Sequence, residues 1–289
     1  MTLAPTSARP AGAAGTIQVG DLTLNRLGFG AMRLTGEGVW GPPRDRAAAR
    51  DVLRRAVELG VNCIDTADSY GPEVNEELIG ETLAPYRDDV VVATKAGLRR
   101  DGPGQWRPDG RPEHLRSACE GSLRRLRLEQ IPIYQLHTVD PAVPLEESLG
   151  TLIELREEGK VRHLGLSNVD VDQLDTALAL TPVVSVQNRY NLGDRGSEDV
   201  IERCEQEALA FLPWYPVGAG STAEFGDALG QVARAHDASV TQVALAWLLA
   251  RSPAMLPIPG TSSLAHLEEN TAAAELRLSP EEVDLLGGG

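Results

Sequence analysis

The sequence predicts an α/β protein with the fold of a (β/α)8 TIM barrel, and three observations lead to this prediction. Eight short apolar runs alternate with amphipathic stretches along the chain. Divided by eight, the 289 residues give about 36 residues for each alternation, which is the size of one βα unit. The runs are continuously apolar, as expected of parallel strands that are buried on both faces.

The eight runs supply the strands of this barrel in chain order. They are residues 27–30, 62–65, 90–94, 133–137, 163–167, 184–188, 210–214 and 255–259. The helical stretches that follow them begin near Arg44, Glu73, Pro112, Pro144, Asp170, Ser197, Ser221 and Leu264. A doubly wound open sheet of parallel strands is the alternative. The unbroken series of eight units, without a long insertion, favours the barrel.

Further elements are predicted at both ends of the series. Residues 16–19 and 22–24 flank Gly20-Asp21 and are predicted to form a β-hairpin that closes the bottom of the barrel. Residues 241–251 form one more helix than eight units need, and a last helix begins at the cap Ser279-Pro280-Glu281-Glu282 and ends at Leu286. Residues 1–15 are predicted to be a disordered tail, and residues 16–289 a single domain.

The composition argues against several classes of protein. The chain has 27 Lys and Arg residues against 42 Asp and Glu residues, so its net charge of −15 disfavours nucleic acids and anionic lipids. The three cysteines form no CxxC pair and the five histidines lack metal-ligand spacing, so we expect no metal. The chain shows neither a signal peptide nor an apolar run of about 18 residues. We therefore expect a cytoplasmic monomer without nucleic-acid or membrane partners.

Two short motifs resemble known fingerprints only in part. Gly28-Phe29-Gly30-Ala31-Met32-Arg33 has arginine in place of the third glycine of GxGxxG, and no helix follows it directly, so a Rossmann site is not favoured. Gly165-Leu166-Ser167-Asn168 lacks the second glycine of a nucleophile elbow, so a serine hydrolase is not favoured either. The charged run Arg124-Arg125-Arg127 is predicted to be a solvated helix face.

Polar side chains stand at the ends of five consecutive predicted strands. They are Asp65, Lys95, His137, the pair Ser167-Asn168, and Gln187-Asn188. In a barrel of this kind the active site lies at the C-terminal ends of the strands. Each group alone has a structural explanation, such as a helix cap or a solvated charge. Because all of them should face one opening, together they indicate an active site.

Lys95 stands out because only two of the 27 basic residues are lysines, Lys95 and Lys160. Lys160 follows a predicted helix, where a structural role suffices, whereas Lys95 ends a buried strand, where a compact ammonium can act on a neighbour. A tyrosine has a pKa of about 10, which a nearby ammonium lowers. Asp65, Tyr70, Lys95 and His137 together suit protonation of a carbonyl oxygen during reduction, with the hydride supplied by a cofactor.

These residues resemble the motifs of the aldo-keto reductases, and the resemblance extends from about Thr16 to Leu286. Asp65-Thr66-Ala67-Asp68-Ser69-Tyr70-Gly71 is similar to the family's strand-two motif, and Thr94-Lys95 and Leu136-His137 match its other catalytic positions. Gly159-Lys160-Val161-Arg162 with Gly165-Leu166-Ser167-Asn168 resembles its mid-chain signature. The resemblance implies a TIM barrel in which Tyr70 is the general acid, Lys95 and Asp65 tune it, and His137 positions the carbonyl.

The resemblance also implies a nicotinamide dinucleotide that is bound in an extended form. Ser167, Asn168 and Gln187 would hydrogen-bond the carboxamide of the nicotinamide. Trp214 would stack on its ring, and a buried core tryptophan is the alternative for that residue. The expected cofactor residues are Gly30, Met32, Ser167, Asn168, Gln187, Trp214, Tyr215, Val217, Gly218, Gly260, Thr261, Ser262, His266, Glu269 and Asn270.

The segment that resembles the family's phosphate-binding loop departs from the best-known pattern. Gly260 stands where many members have lysine, and His266 where many have arginine. Those cations hold the 2′-phosphate of NADP(H), so Thr261, Ser262 and His266 would bind it here with weaker charge complementarity. We expect NADP(H) as the cofactor, with NAD(H) as the alternative.

The loops at the mouth of the barrel would select the substrate, a small carbonyl compound. Met32, Trp40 and Trp106 are apolar groups expected to wall the pocket, and surface packing is the alternative for the two tryptophans. Residues 99–111 form a long connection and a candidate lid. Many relatives have a longer C-terminal tail, so we expect a more open pocket here.

Three functions are compatible with this pattern. The first is NAD(P)H-dependent reduction of an aldehyde or ketone. The second is a regulatory or binding protein that keeps the cofactor with little turnover, as in the related auxiliary subunits of potassium channels. The third is an aldolase in which Lys95 forms a Schiff base. The complete set of Asp65, Tyr70, Lys95 and His137 favours the first.

Overall fold

A computed structural model describes residues 9–218 and 226–288 as parallel strands surrounded by helices. The strands are β1 (Thr16–Val19), β2 (Leu22–Asn25), β3 (Phe29–Gly30), β4 (Cys63–Asp65), β5 (Val91–Ala96), β6 (Leu98–Gly102), β7 (Gln105–Pro108), β8 (Ile131–Leu136), β9 (Val161–Ser167), β10 (Ser185–Gln187) and β11 (Ala210–Phe211). The α-helices are α1 (Arg46–Glu58), α2 (Val74–Leu83), α3 (Pro112–Leu126), α4 (Leu145–Glu157), α5 (Val171–Leu180), α6 (Glu198–Gln206), α7 (Gly226–Ala235), α8 (Val240–Arg251), α9 (Leu264–Ala272) and α10 (Pro280–Gly287).

Seven strands form one parallel sheet in the order β3-β4-β5-β8-β9-β10-β11. The predicted eighth run, residues 255–259, forms only an isolated bridge to β11. It still bonds both edges of the sheet. Leu256 N donates to Phe211 O at 2.8 Å, and Gly28 N donates to Pro257 O at 2.9 Å. The segment therefore closes the sheet into a barrel.

Two prolines explain why this closing segment is not a regular strand. Pro257 and Pro259 accept bonds from the N–H groups of Gly28 and Gly30, but neither proline has an N–H to return a bond toward β3. The hydrogen bonds on that side therefore run in one direction only.

The two-stranded hairpin β1–β2 lies at the N-terminal ends of the barrel strands. Its strands pair antiparallel, with Val19 opposite Leu22. Val19 and Leu24 are buried in one apolar cluster with residues from the beginnings of β4 and β5, Cys63 and Val91. The hairpin therefore covers the opposite end of the barrel from the polar strand ends.

The prediction that residues 1–15 form a disordered tail is wrong for residues 10–14. Residues Pro10–Ala14 form a short 3-10 helix, and Pro10 and Ala11 are buried. Ala11 N donates to Leu59 O at 3.1 Å, at the end of α1. Residues 1–8 lie outside the described residues, as does Ser221, where one helix was predicted to begin. None of the described helices is long and apolar enough to span a membrane.

Candidate active site

A buried ion pair between Lys95 and Asp65 lies at the C-terminal ends of β5 and β4. Lys95 Nζ is 2.7 Å from Asp65 Oδ1 and donates to Thr66 O at 2.8 Å. Gln187 Nε2 donates to the other carboxylate oxygen at 2.8 Å. Burial acts to lower the pKa of Lys95, but Asp65 and Tyr70 together raise it above its ordinary value. The ion pair therefore favours the charged ammonium over the free amine that an aldolase would use.

Tyr70 lies beside this pair, on the loop between β4 and α2. Lys95 Nζ is 5.3 Å from the centroid of its ring. Burial raises the pKa of the phenol above its usual value, and Lys95 opposes that rise. Lys95 thus lowers the pKa of Tyr70, as expected from the sequence, but burial raises that pKa by more than Lys95 lowers it. The phenol keeps its proton at neutral pH and can donate it.

His137 follows β8 and faces Tyr70 from the other side of the opening. The two rings meet edge to face with centroids 5.8 Å apart. Burial and the nearby Lys95 charge hold the pKa of His137 well below its usual value. Its Nδ1 lies 3.4 Å from Ser69 Oγ. The imidazole is therefore neutral at physiological pH and can hydrogen-bond a substrate oxygen without carrying charge.

These groups border a cavity of about 430 Å³ at the mouth of the barrel. Most of the residues expected from the sequence line it: Gly30, Met32, Asp65, Tyr70, Trp106, His137, Ser167, Asn168, Gln187, Trp214, Tyr215, Val217, Gly218 and Gly260. The cavity is also lined by four residues that were not singled out for it: Arg33, Leu98, Pro216 and Ile258. Lys95 lies behind Tyr70 and Asp65 and is fully buried.

A chain of hydrogen bonds that joins Trp214, Asn168 and Ser167 forms one wall of the cavity. Trp214 Nε1 donates to Asn168 Oδ1 at 3.0 Å, and Asn168 Nδ2 donates to His137 O and to Ser167 Oγ, each at 3.0 Å. Trp214 lines the cavity and is only half-buried, so the alternative of a core tryptophan is wrong. Gln187 Nε2 bonds Asp65, so its amide oxygen is the group that could accept from a carboxamide. Ser167 still has a hydroxyl proton to donate.

The segment predicted to bind the adenosine end lies beyond this cavity. Thr261, Ser262, His266, Glu269 and Asn270 do not line it. Thr261 and Asn270 are buried, whereas Ser262 and His266 are exposed at the start of α9. Because the segment continues directly from Gly260, an extended ligand that leaves the cavity past Gly260 would meet this helix N-terminus, a favourable place for a phosphate.

The predicted loop at residues 99–111 is a β-hairpin through most of its length, built from β6 and β7. Trp106 on β7 lines the cavity, and its ring lies 6.3 Å from that of Tyr70. The other predicted substrate tryptophan, Trp40, does not line the cavity. It lies against Arg100, whose guanidinium carbon is 5.8 Å from the Trp40 ring and 3.7 Å from the Trp106 ring.

A second buried charge network supports β5 from behind. Glu76 on α2 accepts from Thr94 Oγ1 at 2.6 Å and pairs with Arg125 at 2.7 Å. The predicted solvated face is therefore wrong for Arg125, whose side chain is 13% exposed. An amphipathic helix pattern does not reveal this, because the partner carboxylate lies on a different helix.

Comparison with known proteins decides the family. The model of the aldo/keto reductase family matches residues 26–287. The chain belongs to the aldo-keto reductase family. This aldo-keto reductase is 50% identical over 278 residues to an uncharacterized oxidoreductase from Schizosaccharomyces pombe, which covers 96% of this chain and 90% of the relative. The resemblance inferred from the motifs is confirmed.

Two further relatives bear on activity and cofactor. Pyridoxine 4-dehydrogenase from Escherichia coli is 44% identical over 279 residues, covering 94% of this chain and 97% of that protein. The structure of an aldo-keto reductase from Klebsiella pneumoniae in complex with NADPH is 30% identical with a TM-score of 0.79, covering 94% of this chain and 93% of that one. This aldo-keto reductase is thus similar to oxidoreductases of small molecules, one of which binds NADPH.

Proposed function

We propose that this protein reduces an aldehyde or ketone to an alcohol with NADPH, with NADH as the alternative cofactor. One observation carries the proposal. A protonated phenol at Tyr70 and a neutral His137 line one cavity, and a charged Lys95 paired with Asp65 lies directly behind them. A general acid, a stabilising cation and a neutral hydrogen-bonding group are what carbonyl reduction requires of a protein.

The cavity is suited to a nicotinamide ring. Its wall offers the Ser167 hydroxyl and the amide of Asn168 next to the indole of Trp214. A flat ring that bears a carboxamide needs polar partners at one edge and an aromatic or apolar face beside it. When bound, a reduced nicotinamide supplies the hydride. We propose that the adenosine half lies along Thr261, Ser262, His266, Glu269 and Asn270.

The residues of the site divide the remaining work among them. Tyr70 and His137, whose rings lie 5.8 Å apart and both line the cavity, are the two groups that would hold the substrate oxygen. Tyr70 gives its proton to that oxygen as negative charge develops there, and Lys95 stabilises the phenolate that remains. Asp65 keeps the ammonium in place through the 2.7 Å ion pair. In alcohol oxidation the same phenolate takes the proton back.

We propose a small aromatic aldehyde, such as pyridoxal, as the class of substrate. The cavity of about 430 Å³ has room for one such ring beside a nicotinamide, and Trp106 offers it an indole surface. Trp106 is 38% exposed, so the pocket is open on this side. The 44% identity to a pyridoxine 4-dehydrogenase supports the same class.

The test measures NADPH oxidation by its absorbance with a panel of aldehydes that includes pyridoxal. We expect Tyr70→Phe to lower kcat by about a hundredfold to ten-thousandfold, the usual contribution of a general acid, with the cofactor still bound. Tyr86→Phe is the matched control, because the Tyr86 hydroxyl bonds Leu126 O away from the cavity. Unchanged turnover in Tyr70→Phe would remove Tyr70 as the acid. Tight cofactor binding without turnover in the wild type would favour the binding-protein alternative.

A further inference from the structure

Arg33 is the arginine among the described residues that line the cavity. Among the described residues that line the cavity, Arg33 and Asp65 have side chains that are charged at neutral pH. Asp65 is already neutralised by Lys95, and the lowered pKa of His137 keeps that ring neutral. Arg33 is exposed, and the structure gives it no ion pair or side-chain hydrogen bond with any other described residue. Its guanidinium is therefore available to a ligand.

The backbone at Gly260 explains why this cation comes from a different segment. A Cβ atom at Gly260 would lie 2.4 Å from the carbonyl oxygen of Gly30, which is closer than any real Cβ contact. A lysine therefore does not fit here without moving the backbone. The same Cβ position is 3.6 Å from Cγ of Arg33. The Arg33 side chain thus packs directly beside Gly260.

The position of Arg33 selects one group of the cofactor. Arg33 borders the cavity in which the nicotinamide is proposed to lie, and it packs beside Gly260, from which the chain leads into α9. The pyrophosphate is the part of a dinucleotide that joins these two regions. A guanidinium presents a planar fork of N–H donors that matches phosphate oxygens. This contact matters in a chain with a net charge of −15, which otherwise repels a polyanion.

We propose that Arg33 binds the pyrophosphate of the nicotinamide dinucleotide and thereby adds a cation to a cofactor site in which Gly260 carries none. This inference rests on the proposed function, since it assumes that a dinucleotide occupies the site.

The test is an equilibrium titration that needs no turnover. Quenching of tryptophan fluorescence reports binding, since Trp106 and Trp214 both line the cavity. The probes are NADPH, NADH and reduced nicotinamide riboside, which has no phosphate. We expect Arg33→Gln to raise the Kd of NADPH and of NADH by the same factor, roughly tenfold to a hundredfold, the usual value of a charged hydrogen bond. The Kd of the riboside should not change.

Arg124→Gln is the matched control, because it removes the same charge from an exposed position on α3, away from the cavity. Its Kd values should equal those of the wild type. Arg33→Lys keeps the charge and should recover part of the lost affinity, and both Arg33 variants should melt at the wild-type temperature.

Three results would overturn the inference. They are an unchanged Kd in Arg33→Gln, a loss confined to NADPH, which would assign Arg33 to the 2′-phosphate, and an Arg33→Lys variant that binds no better than Arg33→Gln. If the wild type binds neither dinucleotide, the proposed function fails and this inference fails with it. Binding of NADPH or NADH by the wild type therefore distinguishes a failure of this inference alone from a failure of the proposed function.

Discussion

Burial shifts the pKa values of Tyr70 and His137 in opposite directions, and both shifts suit carbonyl reduction. Burial favours the neutral form of each group. The pKa of Tyr70 is therefore raised, and the pKa of His137 is lowered well below its usual value. Lys95 remains charged because Asp65 lies 2.7 Å away. The site thus holds a protonated phenol and a neutral imidazole beside a fixed positive charge.

These shifts lead to an expected pH profile for reduction. As the pH falls through about 6.5, where a free histidine gains a proton, His137 stays neutral because its pKa is lowered. As the pH rises toward about 10, where a free tyrosine loses its proton, Tyr70 stays protonated because its pKa is raised. We therefore expect kcat for reduction to be constant between about pH 6 and pH 9, measured with saturating NADPH in buffers of constant ionic strength.

The His137→Asn variant is the control for this profile. It should lower the rate at every pH and leave the shape of the curve unchanged. An inflection near pH 6.5 in the wild type that disappears in the variant would contradict a neutral His137.

At the scale of elements, Arg100 holds the hairpin β6–β7 against the loop that carries Tyr70. Its guanidinium donates to Val39 O at 2.7 Å, to Gly38 O at 2.6 Å and to Ser69 O at 3.2 Å. It also lies 3.7 Å from the centroid of the Trp106 ring. One side chain therefore connects the hairpin, the loop around Trp40 and the residue that precedes Tyr70.

We expect Arg100→Lys to loosen this arrangement and to displace Trp106. A lysine keeps the charge but loses the planar fork that reaches several carbonyls and stacks on an indole. Losing one or two hydrogen bonds of about 0.5–1.5 kcal/mol each should raise KM for an aromatic aldehyde by about twofold to a hundredfold. The cofactor Kd and kcat should change little, and steady-state kinetics with a fluorescence titration will measure all three.

Arg99→Lys is the neighbouring control for this change. Arg99 lies on the same strand, and its guanidinium nitrogen is 3.5 Å from Asp109 instead of bonding the loop that carries Tyr70. The tryptophan emission maximum of the protein should shift in Arg100→Lys, whose side chain contacts Trp40 and Trp106, and stay in place in Arg99→Lys. Equal KM values for the two variants would argue against a positioning role of Arg100.

The elements differ in how well the sequence predicts them. Buried strands such as β5, β8 and β9 are continuous apolar runs and were found close to their true positions. The hairpin β6–β7 was predicted as a loop, because Leu98–Gly102 reads Leu-Arg-Arg-Asp-Gly and has no hydrophobic periodicity. Arg100 on this hairpin bonds the backbone of distant residues, and no local pattern encodes those contacts.

At the scale of the whole molecule, the barrel closes where β3 meets the segment before Gly260. Gly30 N donates to Pro259 O at 3.4 Å, and a Cβ atom at Gly30 would lie 2.7 Å from Ile258 O. The two backbones approach so closely that no side chain fits between them. Glycine is required at Gly30 by this close approach.

We expect Gly30→Ala to lower the free energy of unfolding by about 1–3 kcal/mol, the usual cost of overpacking a well-packed site. Urea denaturation will measure it. Gly150→Ala is the matched control, since Gly150 lies inside α4 and a Cβ there meets nothing within 4 Å. The free energy of unfolding of that variant should rise by about 0.5–1 kcal/mol, because alanine has a higher helix propensity than glycine. A loss of stability in Gly150→Ala, or none in Gly30→Ala, would contradict this account of closure.

The sequence by itself determined the order of the strands, the polar groups at their ends and the family. These follow from local apolar runs and from short motifs such as Asp65–Tyr70, which are properties of neighbouring residues. Only the tertiary structure decided that burial raises the pKa of Tyr70 by more than Lys95 lowers it. It also decided three contacts: Gln187 bonds Asp65, Arg125 is buried against Glu76, and Arg33 lines the cavity. The physical reason is that pKa values, ion pairs and cavity walls depend on how water is excluded and on partners far away in the chain.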